Sequence, residues 1–464
     1  MTRRVLGRAL HLTILLGGMV LAWCVSAVGL RRLFWKFCRR GEPYSPLTNE
    51  GLVRELFEVL GPTFIKLGQI IASSPGLFPR RYSDEFKKCL DRVPEFPVDK
   101  LLNIVTQELG KDVDEIFESF DREVLGSASI AQVHGATLKN GQSVVVKVQR
   151  PGIEKMVEAD LWWMRRGAWF VEKLFKGARL ANVSGVIEDF SRTIREEMDF
   201  KLEAENQREF NRIMRNHDVS DVRAPVPVDE LVTQRVLVME RFYGLKADDV
   251  EGMQAAGIDA EEYLRKGLRA WLLTVSLHGY FHGDAHAGNL MMLSDGRGVG
   301  FLDFGIIGRF TDEQRQHVLR YVLAFSASDY EALADIMTEI GAVELSSEQR
   351  AEFVEDLAGV YGPLLDKQIQ DIKYEDILPD ITRIAYRWGV YLPNEFLLIL
   401  KQLLFFDRYA KAAAPSLNVF NDFYLIDFLF TPKAMQSGLD FNVLMPLMQR
   451  IQARAQAEGK KVAP

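Results

Sequence analysis

The chain has 464 residues, of which 48% are hydrophobic and 26% charged, a composition that excludes disordered, collagen-like and disulfide-stapled classes. The first 40 residues hold eight of the 57 Lys and Arg residues and none of the 64 Asp and Glu residues, so the net charge of −7 divides into +8 for this leader and −15 for residues 41–464. A body this acidic is a poor polyanion binder, which argues against a nucleic-acid partner.

An apolar run over residues 9–30 lies between two basic clusters of the leader. As a helix it is ~33 Å long, enough to cross a bilayer core. We therefore predict a membrane anchor over residues 1–40 with one transmembrane helix. A cleaved signal peptide, a mitochondrial presequence and a buried helix of a soluble core are the alternatives. Five basic residues follow the run and three precede it, which favours a cytoplasmic body at a cell inner membrane, or a mitochondrial inner membrane in a eukaryote.

Beyond the leader, helical and strand-like stretches alternate. Helical periodicity interrupted by prolines runs over residues 50–117. Two β-rich runs follow, Ile130–Leu138 and Ser143–Gln149, and the Asn140-Gly141 pair between them is typical of a hairpin turn. Helices are predicted again over residues 153–214.

The second half of the chain is predicted to be largely helical around a few short strands. Its predicted elements are a buried strand over Arg235–Phe242, an amphipathic helix over Ala260–Leu277, short strands over Leu290–Leu293 and Gly300–Leu302, and a helix with a capping box at Thr311. This order predicts a bilobal α+β fold: a helical extension over residues 41–120, an N-lobe with a small mixed sheet over 121–242, and a mostly helical C-lobe over 243–464.

Two features of the predicted N-lobe point to phosphate binding. Between strand-like segments lies a run of small residues in which main-chain N–H groups can approach phosphates: Gly126, Ser127, Ala128 and Ser129, in a loop that extends to Val133. Lys147 stands in a β-branched run, and an inward-pointing lysine there needs an anionic partner. Read singly, an ordinary hairpin turn explains the first feature and a water-exposed strand lysine explains the second.

A loop in the second half carries the spacing of kinase catalytic residues. In the sequence FHGDAHAGN, Asp284 and Asn289 are five residues apart, as in the kinase HRDxxxxN loop, and His282 takes the place of its histidine. Asp303 then opens a DFG tripeptide. In that pattern Asp284 orients the nucleophile, whereas Asn289 and Asp303 hold Mg²⁺, a cation that prefers oxygen ligands. Together with Lys147 these residues predict a kinase-like core that binds ATP and Mg²⁺.

A zinc site is the alternative for this loop. His282, Asp284 and His286 stand at short spacing, and histidine and aspartate are zinc ligands. The kinase spacing accounts for more residues at once, so we favour magnesium.

Over about residues 50–330, the chain resembles the UbiB/ADCK family of atypical kinases. The resemblance rests on KLGQ (Lys66–Gln69), SASIAQVH (Ser127–His134), VVVKVQRPGI (Val144–Ile153), EMDFKLEAEN (Glu197–Asn206), FHGDAHAGN and LDFG. A KxGQ motif ahead of the nucleotide loop is peculiar to that family. The helical tail is covered more loosely, and the leader lies outside the resemblance.

The resemblance implies that the KxGQ segment folds over the active site, blocks peptide access and directs its lysine to the acids of an ExD motif. In this chain it implies regulatory roles for Lys66, Gln69 and Asp199, with Glu197 as the other acid. Lys66, Gln69 and Ser73 form one polar stripe on a predicted helix, and the alternative is that this stripe faces water. Because Glu197 and Asp199 cannot share a helix face, we predict separate partners for them and assign Glu197 to a lysine.

Two departures from known patterns change what the resemblance implies. The family typically has an AAAS loop, whereas Gly126 opens the loop here, and we expect glycine to loosen the turn. The family's preference between ATP and ADP therefore does not transfer. After Asp303, only a short stretch precedes the capped helix at Thr311, in place of the activation loop and APE motif of ordinary kinases. We therefore expect no peptide-docking platform and no protein as main substrate.

These observations predict a membrane-anchored atypical kinase or ATPase. Lys147 is expected to contact the ATP phosphates and pair with Glu197, for which Lys66 competes, and adenine is expected near Glu240 and Phe242. The resemblance implies a role in biosynthesis or handling of ubiquinone or a related isoprenoid lipid, with anionic and quinone-like membrane lipids and lipid-biosynthesis enzymes as partners. A conventional protein kinase and a nucleotide-binding scaffold without turnover stay open as alternatives.

Overall fold

A computed structural model describes residues 48–72, 80–88, 95–174, 182–294, 298–365 and, with gaps, 371–457. The helices are α1 (Asn49–Leu60), α2 (Pro62–Ala72), α3 (Arg80–Phe86), α4 (Val98–Leu109), α5 (Val113–Ile116), α6 (Ile153–Leu174), α7 (Val183–Glu197), α8 (Phe200–Asn216), α9 (Val250–Ala255), α10 (Ala260–His278), α11 (Asp312–Ser326), α12 (Tyr330–Glu339), α13 (Ser347–Leu365), α14 (Pro432–Met435) and α15 (Phe441–Ala457). The strands are β1 (Phe117–Ser127), β2 (Ala131–Leu138), β3 (Ser143–Gln149), β4 (Val222–Arg223), β5 (Pro227–Val232), β6 (Val236–Glu240), β7 (Gly244–Lys246), β8 (Tyr280–His282), β9 (Leu290–Leu293), β10 (Val299–Phe301) and β11 (Ile307–Arg309).

The fold is α+β and divides into two compact units. The first contains residues up to Leu202 and the segment Pro227–Arg241, and the second contains Glu203–Val226 and the chain from Phe242 onward. The predicted N-lobe, residues 121–242, therefore contributes most of α8 and all of β4 to the second unit.

A five-stranded antiparallel sheet in the order β1-β2-β3-β6-β5 forms the centre of the first unit. Val144, Val146 and Val148 alternate along β3 toward one face and are fully buried in a core shared with α4. The predicted hairpin at Asn140-Gly141 is confirmed, since β2 and β3 pair on either side of it and Gly141 has a φ of 84°.

The second unit is built around helix α10, in which Trp271 is 1% exposed. Gly279, with a φ of 58°, ends that helix in the left-handed conformation that glycine favours. A four-stranded sheet has the order β4-β10-β9-β7, with β4 and β10 parallel, and β8 pairs with β11 in a two-stranded sheet. Helix α11 contacts α10, α12 and α15.

Most predicted elements are confirmed within two residues of their observed ends. The capping box is confirmed too: the Thr311 hydroxyl accepts the Gln314 N–H and the Gln314 side chain accepts the Thr311 N–H. The strands β4, β5, β7, β8 and β11 were not predicted, because runs of two to six residues carry too little periodicity.

The predicted membrane anchor over residues 1–40, with its apolar run, lies outside the described residues. Among the helices that the structure does describe, none is both long enough and apolar enough to span a bilayer.

Candidate active site

The small-residue loop begins later than predicted. Gly126 and Ser127 belong to strand β1, where they pair with Val133 and Gln132 of β2, so the turn is confined to residues 128–130. The prediction that Gly126 loosens the turn is wrong, because its backbone is extended strand. A Cβ at this position meets no atom within 4 Å, so the strand has no steric need for glycine here.

A side chain without a predicted role holds this turn. Arg150 follows β3 directly, and its guanidinium donates to the Ala128 carbonyl at 2.9 Å and to the Ser127 hydroxyl at 2.8 Å. Its main-chain N–H donates to the Ile130 carbonyl at 2.8 Å. Burial lowers the pKa of Arg150, which nevertheless stays charged at neutral pH. Three hydrogen bonds from Arg150 therefore hold this turn.

Lys147 lies on the sheet face opposite the valine core. It is opposite Val133 of β2 and Leu237 of β6, and its residue is only 6% exposed. Its Nζ lies 5.2 Å from the centre of the Phe200 ring, a cation–π distance. The alternative of a strand lysine exposed to water is therefore wrong.

Lys66 of the KxGQ segment is buried and bonded to an acid. The Lys66 Nζ donates to Glu197 Oε1 at 2.8 Å, and each residue is 9% exposed. The predicted lysine–acid contact is confirmed, and the alternative of a water-facing stripe is wrong at this position. Gln69 is half-buried on the same helix, and Ser73 lies outside the described residues.

Asp199 makes a contact of a different kind. Its Oδ1 accepts the main-chain N–H of Lys201 at 3.1 Å, in the first turn of α8. An acid at a helix start satisfies an N–H that has no partner within the helix. The prediction that Glu197 and Asp199 have separate partners is confirmed.

Two polar residues of the SASIAQVH motif serve the fold of the first unit. Gln132 exchanges hydrogen bonds with the main chain of Phe96, and its Nε2 lies 2.9 Å from His134 Nε2. The His134 Nδ1 lies 2.9 Å from the Asp121 carbonyl on β1. Both side chains are buried, so they tie the chain ahead of α4 to the strands β1 and β2, which flank the small-residue turn.

The candidate catalytic loop, residues 283–289 of the second unit, follows β8. His282 pairs with Ile307 of β11, and Gly283 N–H donates to the Ile306 carbonyl at 2.9 Å, so the loop begins from a fixed point. The Asp284 side chain is 31% exposed, and its Oδ2 lies 3.8 Å from His286 Nε2. The described residues contain no cluster of three His, Cys, Asp or Glu side chains arranged to hold a metal.

His282 precedes this loop as a buried, neutral side chain. Burial is the main cause that lowers its pKa. Its Nδ1 accepts the Asp284 main-chain N–H at 3.2 Å, as a neutral imidazole can. Its ring meets Phe304 of the DFG tripeptide edge-to-face at 5.1 Å. The histidine therefore connects the catalytic loop to the DFG segment by packing.

A main-chain contact brings Asn289 beside the residue that precedes Asp303. The Leu302 N–H donates to the Asn289 carbonyl at 2.9 Å, which brings the residue before Asp303 beside the loop. The Asn289 Nδ2 donates to the Asp284 carbonyl at 2.9 Å, so its Oδ1 is the atom left to bind a cation. Amide and carboxylate oxygens from Asn289 and Asp303 are the ligand types that Mg²⁺ prefers, and the residues present fit that ion.

Asn206 organises the DFG segment, although its motif suggested no role for it. Its Nδ2 donates to the Phe304 carbonyl at 3.1 Å, and its Oδ1 accepts from Arg309 at 2.9 Å. Its own carbonyl accepts the Tyr280 hydroxyl at 2.7 Å. The residue is 2% exposed, so one buried amide links α8, β8, the DFG tripeptide and β11.

The two residues predicted near adenine have different surroundings. Glu240 ends strand β6 opposite Val144 and is half-buried. Phe242 lies against Gly300, where an added Cβ is 2.6 Å from the ring, and Arg223 stacks on that ring at 4.4 Å. Gly300 is thus required for packing against Phe242, and a role of either residue in binding adenine stays a prediction.

The segment after DFG is short, as predicted. Gly305 N–H donates to Asp303 Oδ1 at 2.9 Å, and strand β11 follows at Ile307. Helix α11 begins at Asp312. In this described stretch, residues 306–311 take the position that an activation loop has in ordinary kinases.

These features define a kinase-like protein with a small antiparallel sheet, a loop that has the spacing of kinase catalytic residues, and a DFG segment. Comparison with known families agrees: residues 88–337 match the ABC1 atypical kinase-like domain. The chain belongs to the UbiB/ADCK family of atypical kinases, and the resemblance predicted from its motifs is confirmed.

Relatives of the chain match over most of their length. The uncharacterised protein Rv0647c of Mycobacterium tuberculosis is 39% identical over 402 residues, 86% of this chain and 81% of that protein. A probable protein kinase UbiB of Marinobacter nauticus is 31% identical over 383 residues, 82% of this chain and 69% of that protein. The solved complex of Rv3197 with erythromycin, from Mycobacterium tuberculosis, has a TM-score of 0.51 at 23% identity and covers 79% of this chain and 95% of that chain, a likeness of fold alone.

Proposed function

We propose that the protein is a membrane-anchored atypical kinase or ATPase that binds Mg-ATP and supports the biosynthesis or handling of ubiquinone or a related isoprenoid lipid. The observation that carries the proposal is the oxygen-rich catalytic loop of the second unit. There, main-chain and amide contacts hold Asp284, Asn289 and the start of the DFG segment together. That donor set at that spacing suits phosphoryl transfer.

The roles in the second unit follow from its hydrogen bonds. Asn289 and Asp303 would hold Mg²⁺, which neutralises charge on the phosphate oxygens when it is bound. Asp284, half-exposed and two residues after β8, would accept a hydrogen bond from the attacking hydroxyl or water and orient it. Because burial lowers the pKa of His282, this side chain is neutral and adds no positive charge next to the Asp284 carboxylate.

The roles in the first unit follow from its buried cations. Lys147 would contact the phosphates of ATP, because a cation buried in a sheet is well suited to an anionic ligand. The turn held by Arg150 would present main-chain N–H groups to the same ligand. Lys66, bonded to Glu197, would keep the KxGQ segment in place and disfavour a peptide substrate.

The lipid part of the proposal rests on the family and on the leader. A relative carries the name UbiB, and the predicted anchor precedes the described body by a few residues. We place the protein at a cell inner membrane, or at the mitochondrial inner membrane in a eukaryote, with anionic and quinone-like lipids and lipid-biosynthesis enzymes as its partners.

ATP hydrolysis by the full chain tests the proposal. Asp303→Asn should lower Mg²⁺-dependent turnover on the order of 10²-fold, because it removes a carboxylate from the metal site. Asp312→Asn is the matched control, since its side chain is 94% exposed at the start of α11. Equal turnover in the two variants would contradict the metal role of Asp303.

The same assay tests the link to the membrane. We expect liposomes that contain anionic lipid to raise ATP turnover by the full chain, because the leader is basic. Identical rates with and without liposomes would argue against that link and leave the kinase chemistry untouched. Phosphorylation of added peptides by the wild-type protein would favour a conventional protein kinase instead.

A further inference from the structure

The C-terminal end of helix α6 exposes large apolar side chains on most of its circumference. Trp169, Phe170 and Leu174 are 61%, 55% and 59% exposed, and Val171 is 39% exposed. These four lie within six residues, which is unusual for a surface that faces only water. We call them the α6 tip.

Two cations border the α6 tip and stack on tryptophans. The Lys173 Nζ lies 5.0 Å from the centre of the Trp169 ring, and the Arg166 guanidinium lies 4.0 Å from the Trp162 ring. Both cations belong to exposed residues. Positive charge here contrasts with the net charge of −15 on residues 41–464.

Glu172, the acidic residue at this end of α6, is hydrogen-bonded to helix α7. Both Glu172 carboxylate oxygens accept from Ser184 at the start of α7, one from its main-chain N–H at 2.8 Å and one from its hydroxyl at 2.6 Å. Further along, Arg165 pairs with Glu188 at 2.9 Å and Arg195 with Glu158 at 2.7 Å. The two helices therefore hold each other by polar contacts, and the tip presents apolar groups and cations.

We propose that the α6 tip enters the headgroup region of an anionic phospholipid bilayer, as a contact of the folded body with the membrane separate from the leader. Tryptophan and phenylalanine favour that region, and lysine and arginine beside them attract anionic headgroups. The proposal depends neither on ATP chemistry nor on the leader being an anchor.

The shape of the tip favours a bilayer over a protein groove. The exposed apolar side chains from Trp169 to Val171 spread over about 200° around the helix at 3.6 residues per turn, and Lys173 lies inside that arc. A helix that fills one groove needs an apolar stripe of about 100°. Lipid can surround a tip on several sides, whereas a groove covers one.

Fluorescence of a dye at the tip tests this contact in the full chain. Cys24, Cys38 and Cys89 are replaced by serine, and Phe170→Cys carries an environment-sensitive dye. Tyr386→Cys, at a position 86% exposed, is the matched control. The protein is reconstituted in vesicles of phosphatidylcholine and phosphatidylglycerol, and the dye is quenched either by lipid nitroxides just below the headgroups or by iodide in the water.

The proposal predicts about threefold stronger quenching by lipid nitroxides at position 170 than at position 386, and weaker quenching by iodide. Iodide quenching equal at both positions would overturn it. A dye at 170 that neither quencher reaches would also overturn it, because a second copy or another protein segment then covers the tip.

Charge is tested separately by Lys173→Glu in the labelled chain. We expect this variant to reduce lipid quenching at position 170 in vesicles with phosphatidylglycerol and to change it little in pure phosphatidylcholine. Equal quenching of both proteins in both lipids would overturn the role assigned to anionic headgroups. Lys87→Glu, on an exposed residue of the first unit, is its control.

Discussion

The two units of the molecule differ in how deeply the charged residues of the candidate site are buried. In the first unit, Lys66, Lys147 and Arg150 are 9%, 6% and 9% exposed. Their side chains contact the Glu197 carboxylate, the Phe200 ring and the Ala128 carbonyl, respectively. In the second unit, Asp284 and Asp303 are half-buried on loops that are shaped by main-chain hydrogen bonds.

This difference has a physical cause. A buried charge is costly unless a partner compensates it, so the first unit commits its cations to particular neighbours. In the second unit, water solvates the half-buried Asp284 and Asp303, so these carboxylates carry a smaller desolvation cost than the buried cations. We therefore expect the loss of Lys66 in the first unit to lower stability, and the loss of the half-buried acids of the second unit to lower turnover more than stability.

The largest effect on stability is expected at Lys66. Lys66→Met removes the cation bonded to the buried Glu197 carboxylate and should lower the free energy of unfolding by about 3–5 kcal/mol. Urea denaturation followed by tryptophan fluorescence measures the change. Lys87→Met is the control: its pair with Asp84 has side chains 56% and 50% exposed and contributes less than about 1 kcal/mol. Equal small changes in both variants would contradict the expected cost of removing Lys66 from the buried Glu197 carboxylate.

A smaller loss of stability is expected at two buried asparagines of helix α8, only one of which should also change kcat. Asn206→Leu and Asn211→Leu each remove buried side-chain hydrogen bonds, and each should cost about 1–3 kcal/mol of stability. Asn211 bonds Ala224, whereas Asn206 bonds the DFG segment, so only Asn206→Leu should lower kcat. Thermal melts and ATP turnover measure the two quantities, and an equal loss of kcat in both variants would remove the positioning role of Asn206.

The turn of the first unit should respond through nucleotide affinity. Arg150→Lys keeps the charge but cannot hold both the Ala128 carbonyl and the Ser127 hydroxyl in the same geometry. We expect KM for ATP to rise about tenfold, corresponding to about 1.4 kcal/mol. Arg122→Lys, on an exposed side chain of β1, should leave KM unchanged. An unchanged KM in Arg150→Lys would show that the turn does not bind phosphate.

The smallest effect is a pH dependence in the second unit. Burial lowers the pKa of His278 to about 4, aided by His217, whose Nε2 lies 2.8 Å from its own. The unfolded histidine binds its proton near pH 6.5, so stability is full above that pH and decreases as the pH falls toward 4. His278→Gln should show a smaller drop in Tm between pH 7.5 and pH 5.5 than the wild type. The same drop in both proteins would exclude His278 as its source.

The residues of the candidate active site could be proposed from the sequence because the kinase pattern is defined by spacing along the chain. Asp284, Asn289 and Asp303 were found from intervals alone, and the buried partner of Lys66 came from the family motif. Helix α10 was predicted to within one residue, because a long amphipathic helix repeats its signal over many turns.

The supporting residues were not predictable for an equally physical reason. The side chains of Arg150 and Asn206 each donate to a main-chain carbonyl, and every residue type offers a carbonyl, so the sequence does not show where such a contact forms. Gly126 and Ser127 were assigned to a loop because both residue types are typical of turns, whereas pairing with β2 overrides that preference and makes them the last two residues of β1. Short strands such as β8 and β11 depend on each other rather than on local pattern.

The most direct test of the central claim is the binding of Mn²⁺, in place of Mg²⁺, to the full chain in the presence of ATP, followed by electron paramagnetic resonance. The account predicts saturable ATP-dependent Mn²⁺ binding in the wild type and in Asp312→Asn, and its loss in Asp303→Asn and Asn289→Leu. Mn²⁺ binding of equal strength in all four proteins would contradict the assignment of Asn289 and Asp303 as the metal ligands.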